Sequence, residues 1–266
     1  MSKRTRRAFI GTVGTAATIP AIGTVAADDD HPGRGNGRGN GQGQDGEEVS
    51  EDVTAATPAE AMSASQMEAE KEQYNAYLQD KYGPQVDLPN PDIPGELVTW
   101  MIGHTDPDWG AADHRIEIYD VDEEILGEPL YAAWHYSVGG TESHWLWSPR
   151  MTGLRNQIRL GDSNQLHYYD PDETIELSSG IEIPIELSPS FEVFGIPVSI
   201  GISTSFTLGG DSYGPYMPWT NMVEGDFCAE WDGRTTDVIN YEAFSFFTGT
   251  NPWDVSAQFW QSTSRV

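Results

Sequence analysis

Two short stretches of this 266-residue chain hold the side chains best suited to chemistry. In HTDPDWGAADH, His104 to His114, two histidines stand among Asp106, Asp108 and Asp113. Imidazole and carboxylate ligate zinc, and spaced aspartates hold calcium, so His104, Asp106, Asp108 and His114 are a candidate set for Zn or Ca. The spacing matches neither HExxH nor a calcium-binding loop between two helices. In so acidic a chain, neighbouring aspartates arise without any metal, and the leading expectation is no cofactor. In GGDSYGP, Gly209 to Pro215, Ser212 offers a nucleophile, His114 a base, and the N–H groups of Gly210 and Ser212 an oxyanion hole. The plainer reading is a glycine-rich turn after a strand.

Other clusters are open to two readings each. His135 and His144 lie near Trp134, Trp145 and Trp147, either a sugar-stacking surface or core aromatics. Arg150, Arg155 and Arg159 form a basic cluster that either takes an anionic headgroup or pairs with neighbouring acids. The single cysteine, Cys228, excludes an intramolecular disulfide and reads as a small buried apolar residue.

The elements that must position these groups follow from pattern. ELVTWMIG, HRIEIYDV, LYAAWHYSV, NQIRLGD, DFCAEWDG and DVSAQFWQ are short runs of branched and aromatic residues between turn formers. They predict an all-β domain over 96–266, an antiparallel β-sandwich. Before it, Thr57, Pro58 and Glu60 start a helix that Gly83 and Pro84 stop, giving a helical segment 57–83 with a thin apolar stripe. Residues 84–95, with four prolines, predict an extended connector. Residues 28–56 are polar and glycine-rich, and predict a disordered acidic linker.

One stretch alternates almost throughout. Ile181, Ile183, Ile185, Leu187, Phe191 and Val193 share a face; after Gly195 and Pro197 the phase flips, and Phe194, Ile196, Val198, Ile200, Ile202 and Phe206 share one. The arms, 181–193 and 196–208, are each long for a globular strand. The Gly/Ser/Thr face of the second arm suits water and its apolar face suits lipid. Residues 191–210 therefore resemble the insertion hairpin of aerolysin-like β-pore-forming toxins. That resemblance implies a membrane hairpin formed by those six residues and a homo-oligomer. Half-buried sheets alternate in the same way, so the plainer reading is a long hairpin with one face on the core. GGDSYGP similarly resembles the GDSGGP segment of chymotrypsin-like serine proteases, which implies Ser212 as nucleophile; Tyr213 stands where that family has glycine.

The first 27 residues join Arg6 and Arg7 to an uncharged run ending in Val25-Ala26-Ala27. This resembles a twin-arginine (Tat) export signal, which implies a cargo that folds before secretion. The tail WQSTSRV predicts no apolar anchor. The formal net charge is −28, and loss of Lys3, Arg4, Arg6 and Arg7 with the signal takes it to about −32. Only Lys71 and Lys81 would remain as lysines. Such a chain repels itself unless salt screens it, and with the signal it resembles a secreted protein of a halophilic archaeon. The same charge excludes nucleic acid as a partner. The expectation is an extracellular, non-enzymatic, halocin-like or pore-forming-like protein that binds a cell surface, lipid or glycan. A secreted hydrolase and a carbohydrate-binding module are the alternatives.

Overall fold

The computed structural model describes residues 46–55, 64–91, 93–141, 148–177 and 182–264. The chain runs β1 (Gly46–Thr54), α1 (Ala64–Tyr82), β2 (Glu96–Thr105), β3 (Gly110–Ile125), β4 (Glu128–Thr141), β5 (Arg150–Leu160) and β6 (Asn164–Asp170). It continues through β7 (Ile175–Glu176), β8 (Ile183–Leu187), β9 (Ser190–Val193), β10 (Ile196–Ser199), β11 (Thr204–Leu208) and β12 (Ser212–Pro215). The last strands are β13 (Asp226–Thr235), β14 (Ile239–Gly249) and β15 (Val255–Ser264). A back sheet has the order β1-β15-β5-β13-β12-β7, and a front sheet the order β2-β3-β4-β14-β6. The fold is all-β, as expected, and every ladder is antiparallel.

Strand β3 shows how the layers are built. Ala112, His114, Ile116 and Ile118 alternate with Asp113, Arg115, Glu117 and Tyr119, and both sets are buried. Because successive side chains point to opposite faces, the front sheet is covered on both. The first set meets the back sheet; His114 stacks on Phe259 of β15 with centroids 4.9 Å apart. The second set meets α1. On β14, Tyr241 bonds the back-sheet carbonyl of Ala229 at 3.1 Å, whereas Phe246 packs 4.9 Å from Phe191 of the β8–β11 hairpin. The sandwich therefore carries a third, outer layer made of the helix and the hairpin side by side.

The sequence reading needs two corrections. The first concerns the linker, in which residues 46–54 are strand β1, paired along its length with β15. Val49 and Val53 are its only apolar anchors, too few to show a period. Its acids are used instead, with Glu51 accepting the backbone N–H of His104 and Glu47 that of Asp108. Residues 28–45 and 56 of the predicted linker and the signal segment lie outside the described residues, as does 57–63 of the predicted helix. From Ala64 the helix runs to Tyr82 as expected, and Gly83, at φ +106°, returns its N–H to Gln79.

The second concerns the two long arms, which are broken. β9 and β10 pair around the turn, β8 and β11 pair below it, and 188–189 face 200–203 across an irregular gap. Two residues oppose four there, so the ladder cannot continue. Neither pair joins either sheet.

Candidate functional site

The first cluster read from the sequence closes on itself. Asp113 accepts Lys81 Nζ at 2.8 Å, the Tyr82 hydroxyl at 2.6 Å and the Tyr77 hydroxyl at 3.3 Å, and lies 3.2 Å from His104 Nδ1. Burial works to raise its pKa, but the His104 hydrogen bond, the Lys81 charge and the Tyr82 hydroxyl together hold it down to about 2. The cation among these ligands is the chain's own lysine, delivered by α1. His114 points the other way, into the sandwich. Among the described residues no group of three His, Cys, Asp or Glu side chains converges as a metal set. The structure thus separates His104 from His114 and does not gather Asp106 and Asp108 with them.

His114 belongs to a buried polar chain between the sheets. Its Nδ1 is 2.8 Å from Ser137 Oγ and its Nε2 is 3.4 Å from Thr105 Oγ1, which donates to Gln261 at 3.1 Å. Ser137 also accepts Asn156 Nδ2 at 3.2 Å; Asn156 Oδ1 meets His135 Nδ1 at 3.1 Å, and His135 Nε2 meets Ser245 Oγ at 2.9 Å. Burial pushes the His114 pKa down to about 3 and that of His135 to about 4, so both rings are neutral. Both nitrogens of His114 are engaged, and Ser212 lies on β12 of the other sheet, paired with Asp232 and Glu176. The structure does not bring the proposed base to the proposed nucleophile.

The aromatic candidates divide. Trp134 and His135 are core residues; Trp134 donates to Glu242 at 2.8 Å. His144, Trp145 and Trp147 lie outside the described residues. A separate aromatic group on the back sheet was not legible in sequence, because 44 residues separate its turn from Trp260. There Tyr216 and Trp260 sandwich the Arg155 guanidinium at 3.7 and 3.9 Å, with Glu230 at 2.6 Å. The ring faces turned toward Arg155 are occupied by it. Cys228 is buried below, its thiol pKa pushed up by burial.

The hairpin residues separate by position. Val198 and Ile202 are buried, and Ile200 and Phe206 pack against the core. Phe191 stacks on Tyr168 at 4.7 Å, and Thr204 donates to Glu242 at 2.8 Å. At the tip, Phe194 is 67% exposed and Ile196 42%. Phe194 has φ +52° and Gly195 φ +78°, the two left-handed positions of a type I′ turn, where Asn and Gly are favoured. A bulky residue there is strained by about 1–3 kcal/mol.

A second projection stands beside this one. Asn221 Oδ1 accepts the N–H groups of Val223 and Glu224 at 3.1 and 3.4 Å, pinning a loop that leaves Val223 95% and Met222 41% exposed. Phe194, Met222 and Val223 line one cleft of about 750 Å³ with Leu160, Leu166 and Val193. Its rim carries Asp162, Glu192 and Glu224. His167 meets the Phe194 ring edge-on at 5.9 Å and is fixed by Thr248 at 2.9 Å. Phe194 and Ile196 were legible as hairpin apolars; Met222 and Val223 carried no periodic signal and are brought in only by the fold. No protein-family model matches the chain, and no curated protein is detectably similar to it.

Proposed function

We propose that this is a secreted, salt-adapted, non-enzymatic protein that attaches to a lipid surface through the tip of its hairpin and the 221–225 loop. The observation that carries the reading is Phe194. It is strained, bulky and solvent-exposed at the apex of a turn, and it lines one cleft with the still more exposed Val223. A structural turn would place Asn or Gly there at lower cost. Exposed apolar side chains gathered at one end of a molecule mark an interaction surface. Burying each one contributes up to about 1.5–3 kcal/mol. The arms below the tip rest on the core, so attachment by the tip alone needs no rearrangement. The acidic rim opposes anionic headgroups at low ionic strength and is screened in molar salt, where the Debye length is about 3 Å.

Export by the twin-arginine route, a haloarchaeal setting and a halocin-like or pore-forming-like outcome belong to this proposal through the residues of the signal segment and the charge. Co-sedimentation with ether-lipid vesicles in molar KCl tests it. Wild type is expected to pellet with vesicles, and Phe194→Asp with Val223→Asp to stay in solution at unchanged circular dichroism. A wild type that remains in the supernatant at micromolar concentration ends the proposal.

A further inference from the structure

The described residues include seven lysines and arginines: Lys71, Lys81, Arg115, Arg150, Arg155, Arg159 and Arg234. Five have a carboxylate within 4.0 Å. Arg150 and Arg234 have none among the described residues, although acids outnumber bases threefold along the chain. Both line the same cleft, of about 550 Å³. It lies at the start of β5, whereas the apolar cleft lies at its end, roughly 30 Å away at about 3.3 Å per residue.

The cleft has a fixed wall. Gly210 has φ +144°, and a Cβ there would stand 2.4 Å from the Trp231 indole nitrogen. That nitrogen donates instead to the Gly209 carbonyl at 2.7 Å. Three carboxylates, Glu182, Asp211 and Asp237, also line the cleft. Among the described residues the Asp237 carboxylate has only a long contact from Thr235 Oγ1, at 3.4 Å, so acceptor capacity remains. No aromatic side chain among the described residues lines the cleft, and the polar lining offers charge and hydrogen bonds.

From these observations we infer that the Arg150–Arg234 cleft binds an acidic saccharide, a hydroxyl-rich ligand bearing carboxylate or sulfate groups. Two guanidinium forks can donate paired N–H bonds to carboxylate or sulfate oxygens. Glu182 and Asp237 accept the hydroxyls that a bare anion lacks. The site is independent of the lipid-binding end and would let the molecule hold an acidic glycan while the tip is engaged.

Titration calorimetry of the full chain in molar KCl tests the inference. The probes are an oligogalacturonate, a neutral oligoglucoside of equal length, and inorganic sulfate. The expected result is binding of the oligogalacturonate alone, weakened at least tenfold by Arg150→Gln and by Arg234→Gln, with vesicle binding retained in both. Both side chains are solvent-accessible, and an unchanged denaturation midpoint verifies that the variants fold. Absence of oligogalacturonate binding, equal binding by the double variant, equal binding of the neutral oligomer, or sulfate binding as tightly as the saccharide would each overturn it. Because vesicle binding is read separately, loss of one activity does not count against the other.

Discussion

The helix and the hairpin cover adjacent halves of one sheet face, and they are held there by different forces. Under α1 the front sheet presents Asp113, Arg115 and Glu117 in alternation. The helix answers with Lys81 on Asp113 at 2.8 Å, Glu70 on Arg115 at 2.9 Å and Lys71 on Glu117 at 3.0 Å. Arg115 also holds Glu117 at 2.6 Å, and both are fully buried. Both lysines among the described residues, Lys71 and Lys81, are spent here. The hairpin half has no ion pair among the described residues. It is held by Phe191, stacked on Tyr168 and tilted against Phe246, and by two carboxylates, Glu242 accepting Thr204 and Asp170 accepting the Ser188 backbone. A chain short of lysine places its few cations where charge must be buried, and covers the remainder with aromatic rings. The first half is thereby locked, because removing one charge strands another; the second is docked, with no backbone ladder to the body.

Substitutions distinguish a locked half from a docked one. Arg115→Met leaves Glu117 buried beside Lys71 alone and is expected to cost about 3–5 kcal/mol in global stability, read as a lowered denaturation midpoint. Phe191→Ala is expected to cost about 3 kcal/mol. Its signature is local: limited proteolysis between 188 and 203 at denaturant concentrations where the sandwich stays folded. Equal global loss in both variants would erase the distinction.

Acidity separates the halves next. His114 and His135 are neutral in the folded core, well below their ordinary 6.5. The unfolded chain takes up protons there that the folded chain refuses, so global stability is full above about pH 6.5 and falls as pH drops toward 4. Asp170 moves oppositely: burial and then the Asp172 charge raise it from 3.8 to about 6, against the Ser188 N–H. Burial likewise raises Glu242, against Thr204 and Trp134. The folded chain therefore holds those protons more tightly, and hairpin docking strengthens as pH falls through 6. Between pH 7 and 5.5, protection factors in β8–β11, with exchange corrected for its intrinsic pH dependence, are expected to rise while the thermal midpoint declines.

The smallest expected effect is the most specific. Phe194→Asn relieves the left-handed turn and should stabilise the protein by about 1 kcal/mol while weakening vesicle binding about tenfold. A destabilised Asn variant would mean that the ring serves the fold.

How much of this was readable beforehand follows from what each pattern encodes. The alternation in β3 was present in the sequence, and read at period 2 it places His114 with Ile116 and Ile118, away from Asp113. Scanning instead for ligand spacing joined His104 of β2, the β2–β3 loop and the opposite-facing His114 of β3 into a single apparent metal cluster. The hairpin's alternation was legible and its occupant was not, since lipid and a sheet of Phe246 and Tyr168 demand the same apolar face. β1 was missed because an edge strand whose only apolar residues are Val49 and Val53, among four acids, looks like a solvated tail. The Lys71–Glu117 and Lys81–Asp113 pairs span 46 and 32 positions, and no local period reports them.

The central claim is that attachment uses the hairpin's tip while its arms stay on the core. Hydrogen exchange by mass spectrometry, with and without vesicles in molar KCl, tests it most directly. The account predicts new protection confined to Val193–Ile196 and Met222–Glu224, with β8 and β11 unchanged. Protection spreading along both arms, or absent from both tips, would contradict it.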